Sequence, residues 1–158
     1  MEGPKRKRTR LAGYDYSSCG AYFVTICTKD RLKILSKICR GGALLRPIGD
    51  ICELEIERIQ NRFHIMIDKY VIMPNHVHMI IVIGQERAEQ SPAPTVGDII
   101  CAFKSITTKT ANKYENQPGR KIWQRSYHDH IIRNEQEYQK IWNYIDANPM
   151  KWDEDCYR

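Results

Sequence analysis

The chain has 158 residues, 42% hydrophobic and 28% charged, which suits one ordinary domain with a real core and excludes wholesale disorder. Its 25 Lys and Arg against 19 Asp and Glu leave a net charge of +6, a balance that suits a polyanionic partner such as nucleic acid without proving one. No apolar run approaches the roughly 20 residues of a membrane helix, and the basic N-terminus is not followed by the apolar core of a secretory signal. The six cysteines form no C-x-x-C pair, so a zinc knuckle or thioredoxin motif is not expected. Reduced thiols and a cytoplasmic (prokaryotic, nucleoid-associated) location are the matching expectation.

Residues 1–20 read as a basic arm, and residues 21–158 as one domain. Lys5, Arg6, Lys7, Arg8 and Arg10 would contact DNA phosphates and release counterions. An import signal or a plain solvated tail are the competing readings of such a run. Residues 22–28 (YFVTICT) are β-branched and aromatic, a strand pattern. The 3–4 spacing of Ile48, Ile51, Cys52, Leu54, Glu55 and Ile59 suits an amphipathic helix over 48–59. Residues 64–73 and 76–83 read as two more strands, joined by the turn signal Pro74-Asn75 into a hairpin. The near-continuous apolar character of 76–83 says that both its faces are covered.

Residues 84–94 (GQERAEQSPAP) read as a polar, Pro-containing loop. Thr95 with Asp98 resembles a capping box, and Val96, Ile99, Ile100, Phe103 and Ile106 then mark one face of a helix that ends by Gln117-Pro118-Gly119. Lys104, Lys109 and Lys113 fall off that face and are expected to be exposed. Residues 127–133 read as a fourth strand. Asn134 with Glu137 starts a last helix that runs to Asn148, where Pro149 disfavours continuation. The order βαββαβ plus a C-terminal helix is the ferredoxin-like α+β arrangement: an antiparallel sheet with helices on one face. That fold hosts many functions and selects none.

The sharpest local feature is His76-Val77-His78. In a strand, residues i and i+2 share a face, so two imidazoles stand side by side in an apolar segment. Burying both is costly without partners, and a divalent metal is one good partner; structural histidines or a surface pair are the others. On the last helix, Tyr138, Ile141, Trp142 and Ile145 form the apolar stripe. Tyr144 flanks this stripe, roughly 120° from Tyr138, with Asn148 four residues on along the same side. A Tyr hydroxyl beside an amide oxygen would complete a two-His site. A half-exposed aromatic followed by an Asn helix cap is the plainer reading of the same residues.

Met73-Pro74-Asn75-His76-Val77-His78-Met79-Ile80, followed by Tyr144-Ile145-Asp146-Ala147-Asn148-Pro149, resembles the single-tyrosine HUH transposases (U is a hydrophobic residue), and most closely their REP-associated branch. Tyr22-Phe23-Val24-Thr25-Ile26 and the stretch from Trp123 through Asn134 support the likeness, which runs from about Arg10 to Trp152. The resemblance implies that His76 and His78 are metal ligands, Tyr144 the nucleophile and Asn148 a third, amide-type ligand. It implies Mg²⁺ or Mn²⁺ as the metal and single-stranded DNA, recognised beside a hairpin, as the substrate. Insertion-sequence relatives work as homodimers that share active sites, whereas the REP-associated branch can be monomeric, so the resemblance leaves the oligomeric state open.

The expected function is therefore a metal-dependent single-strand DNA nickase and strand transferase working through a 5′-phosphotyrosine. The absence of a G-x-x-x-x-G-K-[ST] loop fits a reaction that needs no ATP. Lys104, Lys109, Lys113, Arg125 and Arg133, with the basic arm, are the candidate phosphate contacts. Tyr14, Tyr16 and Trp123 are aromatics that would either stack on bases or sit in the core. The alternatives are a non-catalytic hairpin-binding protein derived from a transposase, and a hydrolase of small phosphoesters. His128, Asp129 and His130 are read as structural or DNA-contacting and are left out of the site.

Overall fold

A computed structural model describes residues 19–40, 42–84 and 94–158. The basic side chains proposed for the arm (Lys5, Arg6, Lys7, Arg8 and Arg10), together with Tyr14 and Tyr16, lie outside the described residues.

The described elements are β1 (Gly20–Cys27), β2 (Ser36–Cys39), β3 (Gly42–Leu45), α1 (Pro47–Phe63), β4 (Met66–Ile72), β5 (His76–Ile83), α2 (Val96–Tyr114), β6 (His128–Ile132) and α3 (Glu135–Ala147). A 3-10 segment, Asn148–Glu154, follows α3 directly. Four strands form one antiparallel sheet in the order β4-β5-β1-β6. This is the ferredoxin-like α+β arrangement expected from the element order.

Alternation along β5 assigns the two faces of the sheet. Val77, Met79, Ile81 and Ile83 join Tyr22, Val24 and Ile26 of β1 in the main core. Cys52, Ile56 and Ile59 of α1 and Val96, Ile99, Ile100 and Phe103 of α2 cover that face. The other face of β5 carries His76, His78 and Ile80, and α3 packs there: the Tyr144 ring lies 5.3 Å from the His78 ring. Both faces of β5 are thus covered, which is why the strand is apolar almost throughout.

Local chemistry sets the element ends. Thr95 Oγ1 accepts from Asp98 N while the Asp98 carboxylate accepts from Thr95 N, the capping box read from the sequence. Asn134 caps α3 by accepting from Glu137 N at 2.8 Å. Pro149 stops the α-helical ladder at Ala147, one residue before the expected end, and the chain continues as the tighter 3-10 turn.

The short hairpin β2–β3 is absent from the sequence reading. Its strands have four residues each, SKIC and GALL, without the β-branched or aromatic runs that mark strands. It sets α1 in place: Arg46 N donates to Leu35 O at 2.9 Å, and α1 crosses Leu35 so closely that a Cβ on Gly49 would stand 2.1 Å from that same oxygen. Leu35 N in turn donates to Pro74 O at 3.0 Å, which ties this region to the turn before His76.

Candidate active site

The Pro74-Asn75 turn is held from both sides. Thr28 N and Thr28 Oγ1 both donate to Asn75 O, at 2.9 and 3.0 Å, and Met73 N donates to His76 O at 2.8 Å. This fixes the register in which β5 begins and sends His76 and His78 to the face covered by α3 (their rings lie 4.5 Å apart). Both are buried, His76 at 0% and His78 at 1% exposure.

The hydrogen bonds define the His76 tautomer. Tyr157 O can only accept, so the Asn75 amide nitrogen donates to it, at 2.8 Å. Asn75 Oδ1 therefore faces His76 Nδ1, 2.8 Å away, and the ring must donate from Nδ1. In the neutral imidazole this leaves a lone pair on Nε2, the form that binds metals. His78 Nδ1 is 2.8 Å from Thr25 Oγ1, on the neighbouring strand β1. Burial disfavours the charged rings. It pulls His76 down to about 4, against the opposing pull of the Asp155 charge, and drives His78 well below its ordinary value, helped by His76.

Tyr144 Oη lies 3.4 Å from His78 Nε2, and the Tyr144 ring stands edge-on to Phe23. Its hydroxyl pKa is pushed up to about 12, first by burial and then by the negative potential of the C-terminal residues. The residue is nevertheless 40% exposed and borders a cavity of about 400 Å³ that also touches Lys140, Asn143, Asn148 and Lys151. Asn148 is 2% exposed. Its backbone is right-handed (φ −58°), so no left-handed cap conformation accounts for an Asn there. Three buried acceptors at this place have no hydrogen-bond partner: His76 Nε2, Asn148 Oδ1 and Asp155 Oδ2.

The structure thus gathers His76, His78, Tyr144 and Asn148 in one place. Two further residues there were missed. The sequence marks Asn75 as a turn residue and as part of the HUH motif but gives it no role in the site, although an Asn directly before a two-His strand is placed to orient the first ring. Asp155 gives one ligand atom to a group with His76 and His78 whose atoms all lie within 4.8 Å of one another. It sits in a polar tail with no periodic pattern, and no sequence signal pointed to it.

The expected phosphate contacts separate. Lys104, Lys109 and Arg125 line a second cavity of about 530 Å³, together with Arg120 and Lys121. Lys113 and Arg133 are exposed but do not line it. Lys104 departs from the expectation of free exposure: its ammonium donates to Gln124 O and Ser126 O, both at 2.9 Å, and so tethers the loop before β6. Trp123 is a core residue, 7% exposed, with Nε1 donating to Thr107 Oγ1 at 2.9 Å. His130 is paired with Glu137 at 2.6 Å.

Residues 16–148 match the family described as IS200-like transposases, and the chain belongs to that family. It is 37% identical over 166 residues to an uncharacterized protein of Haemophilus influenzae, a match covering 95% of this chain and 91% of that protein. Among solved structures it resembles a REP-associated tyrosine transposase bound to a REP hairpin (TM-score 0.65, 20% identity, 90% of this chain and 74% of that one). It also resembles a candidate transposase from Deinococcus radiodurans R1 (TM-score 0.54, 20% identity, 87% and 95%). At that identity the two structures share the fold. The family assignment bears out the resemblance read from the HUH and tyrosine-helix motifs.

Proposed function

We propose that this transposase is a metal-dependent endonuclease and strand transferase for single-stranded DNA, with Tyr144 as nucleophile and His76, His78 and Asn148 as metal ligands. The observation that carries the reading is the Tyr144 hydroxyl, 3.4 Å from His78 Nε2 and beside a buried pair of neutral imidazoles. The donor set fits a divalent cation: His76 Nε2 and Asn148 Oδ1 are buried acceptors with nothing to accept from. Bound there, Mg²⁺ or Mn²⁺ supplies positive charge at a nonbridging phosphate oxygen and so offsets the repulsion between the phosphodiester and its attacker.

The chain's own residues do the rest. Tyr144 arrives protonated, as any tyrosine does near neutral pH, and burial raises its pKa further. As Oη bonds to phosphorus its proton passes to solvent, the bond to the 3′-oxygen breaks, and that oxygen takes up a proton and leaves as a 3′-hydroxyl. The DNA stays on the protein as a 5′-phosphotyrosine. Attack by another 3′-hydroxyl reverses the step and joins a new strand without ATP. Lys140 and Lys151, which line the same cavity as Tyr144, supply positive charge for the flanking phosphates. The cavity lined by Lys109, Arg120 and Arg125 offers a second basic surface for the hairpin stem.

The test uses a labelled oligonucleotide carrying a hairpin next to a single-stranded flank, with Mg²⁺ or Mn²⁺. A covalent DNA–protein adduct is expected with the wild type and none with Tyr144→Phe. An adduct at full level in that variant sinks the assignment. Salt-sensitive hairpin binding without cleavage in any divalent metal would instead identify a binding protein.

A further inference from the structure

We infer that the tail after the tyrosine helix is part of the metal centre, with Asp155 as its anionic ligand. The inference rests on the proposed metal-binding role of the two histidines and adds to it a residue from another part of the chain. The 3-10 segment Asn148–Glu154 links the two orphaned oxygens: Asn148 opens it, and Asp155 is the first residue after its end. The Asp155 side chain is fully buried, and its Oδ2 lies 3.5 Å from His76 Nε2, also fully buried. Because Asn75 holds the His76 proton on Nδ1, these two atoms are a lone pair facing a carboxylate oxygen. No hydrogen bond joins them. Two acceptors buried face to face are unfavourable unless a proton or a metal ion lies between them. At 3.5 Å the two donor atoms are close enough that one divalent ion would be held by both.

Charge argues the same way. Two imidazoles and an amide give a neutral ligand set, whereas Mg²⁺ and Mn²⁺ favour hard oxygen donors and above all carboxylates. The carboxylate is also held in place. Its Oδ1 accepts from Tyr157 N at 2.8 Å, Tyr157 O accepts from Asn75, and Arg31 donates to Cys156 O at 3.3 Å. The Tyr157 ring lies 5.2 and 5.5 Å from the rings of His76 and His78. Asn75 therefore joins both sides, orienting the imidazole with its oxygen and anchoring the tail with its nitrogen.

The test is Mn²⁺ binding to the full-length chain without DNA, followed by calorimetry and by the spectrum of free Mn²⁺. Asp155→Asn keeps the shape and the bond from Tyr157 N but removes the charge, and should weaken Mn²⁺ binding at least tenfold. Asp153→Asn removes an exposed carboxylate paired with Arg158 and should leave binding unchanged. Unchanged affinity in Asp155→Asn overturns the inference while leaving the histidine site and Tyr144 standing. A wild type that binds no Mn²⁺ overturns both. A second measurement needs no variant: Fe²⁺ with ascorbate and peroxide should cut the wild-type backbone near both His76–His78 and Asp155. Cuts near the histidines alone would also overturn the inference.

Discussion

Tyr144 Oη stands 3.4 Å from His78 Nε2, although 66 residues separate them in sequence. The contact joins the last helix to the central strand and depends on the face that β5 turns toward α3. Slipping β5 by one residue would send both imidazoles into the main core. The Pro74-Asn75 turn, fixed by Thr28 and Met73, prevents that slip.

Asn75 should matter for function beyond its place in the turn. Asn75→Ala removes the acceptor that holds the His76 proton on Nδ1 and frees the tail at Tyr157. A loss of roughly 10–100-fold in adduct formation is expected, the usual effect of removing a group that orients a metal-binding His. Asn75→Ala with wild-type adduct yield and wild-type Mn²⁺ affinity would refute the role.

Metal-free stability should fall on the acidic side of neutrality. His76 has a pKa of about 4 in the folded chain and about 6.5 unfolded. Between those values the unfolded chain binds the proton that the folded chain refuses. Stability is therefore full above pH 6.5 and is lost progressively as pH falls toward 4. The shift of His78 has the same sign. Urea midpoints of the apo-protein from pH 7.5 to 4.5 measure it, and His76→Gln should flatten the slope. A midpoint that rises on acidification would contradict the burial of neutral rings.

Gly49→Ala should destabilise without touching the chemistry. The added Cβ meets Leu35 O at 2.1 Å, a backbone atom that cannot turn aside. A cost of roughly 1–3 kcal/mol is expected, which for a chain of this size lowers Tm by about 3–10 °C. An unchanged Tm would show that α1 does not approach Leu35 this closely.

The basic residues should divide into two kinds. Lys109→Ala or Arg125→Ala should each reduce the salt dependence of hairpin binding by about 0.9 in log–log slope, as expected for the loss of one duplex phosphate contact. Lys104→Ala should act mainly on stability, because its ammonium serves the carbonyls of Gln124 and Ser126. Fluorescence titrations at several salt concentrations, paired with melting curves, separate the two. A full unit of slope lost in Lys104→Ala with unchanged Tm would reverse the assignment.

What was legible in the sequence follows from local physics. The strands of the main sheet and their flanking helices announce themselves by periodicity, and two helix starts by their Thr95–Asp98 and Asn134–Glu137 pairs. The hairpin β2–β3 was not legible, since its short strands are held by contacts to Leu35 and α1 rather than by propensity. His76, His78, Tyr144 and Asn148 could be marked from strand and helix periods together with the family motifs. Asp155 could not, because a 3-10 turn carries it back over β5 and no sequence period encodes that path. Lys104 looked free because helical spacing places it off the apolar face, while the carbonyls that capture it, of Gln124 and Ser126, are 20 and 22 residues away.

The most direct measurement is to map the covalent adduct. The wild type is incubated with a hairpin-flanked oligonucleotide and Mn²⁺, digested with nuclease and trypsin, and read by mass spectrometry. A nucleotide attached through its 5′-phosphate should appear on the peptide containing Tyr144, with a free 3′-hydroxyl on the released strand. An adduct on any other residue, or cleavage with no adduct at all, would contradict Tyr144 as the nucleophile.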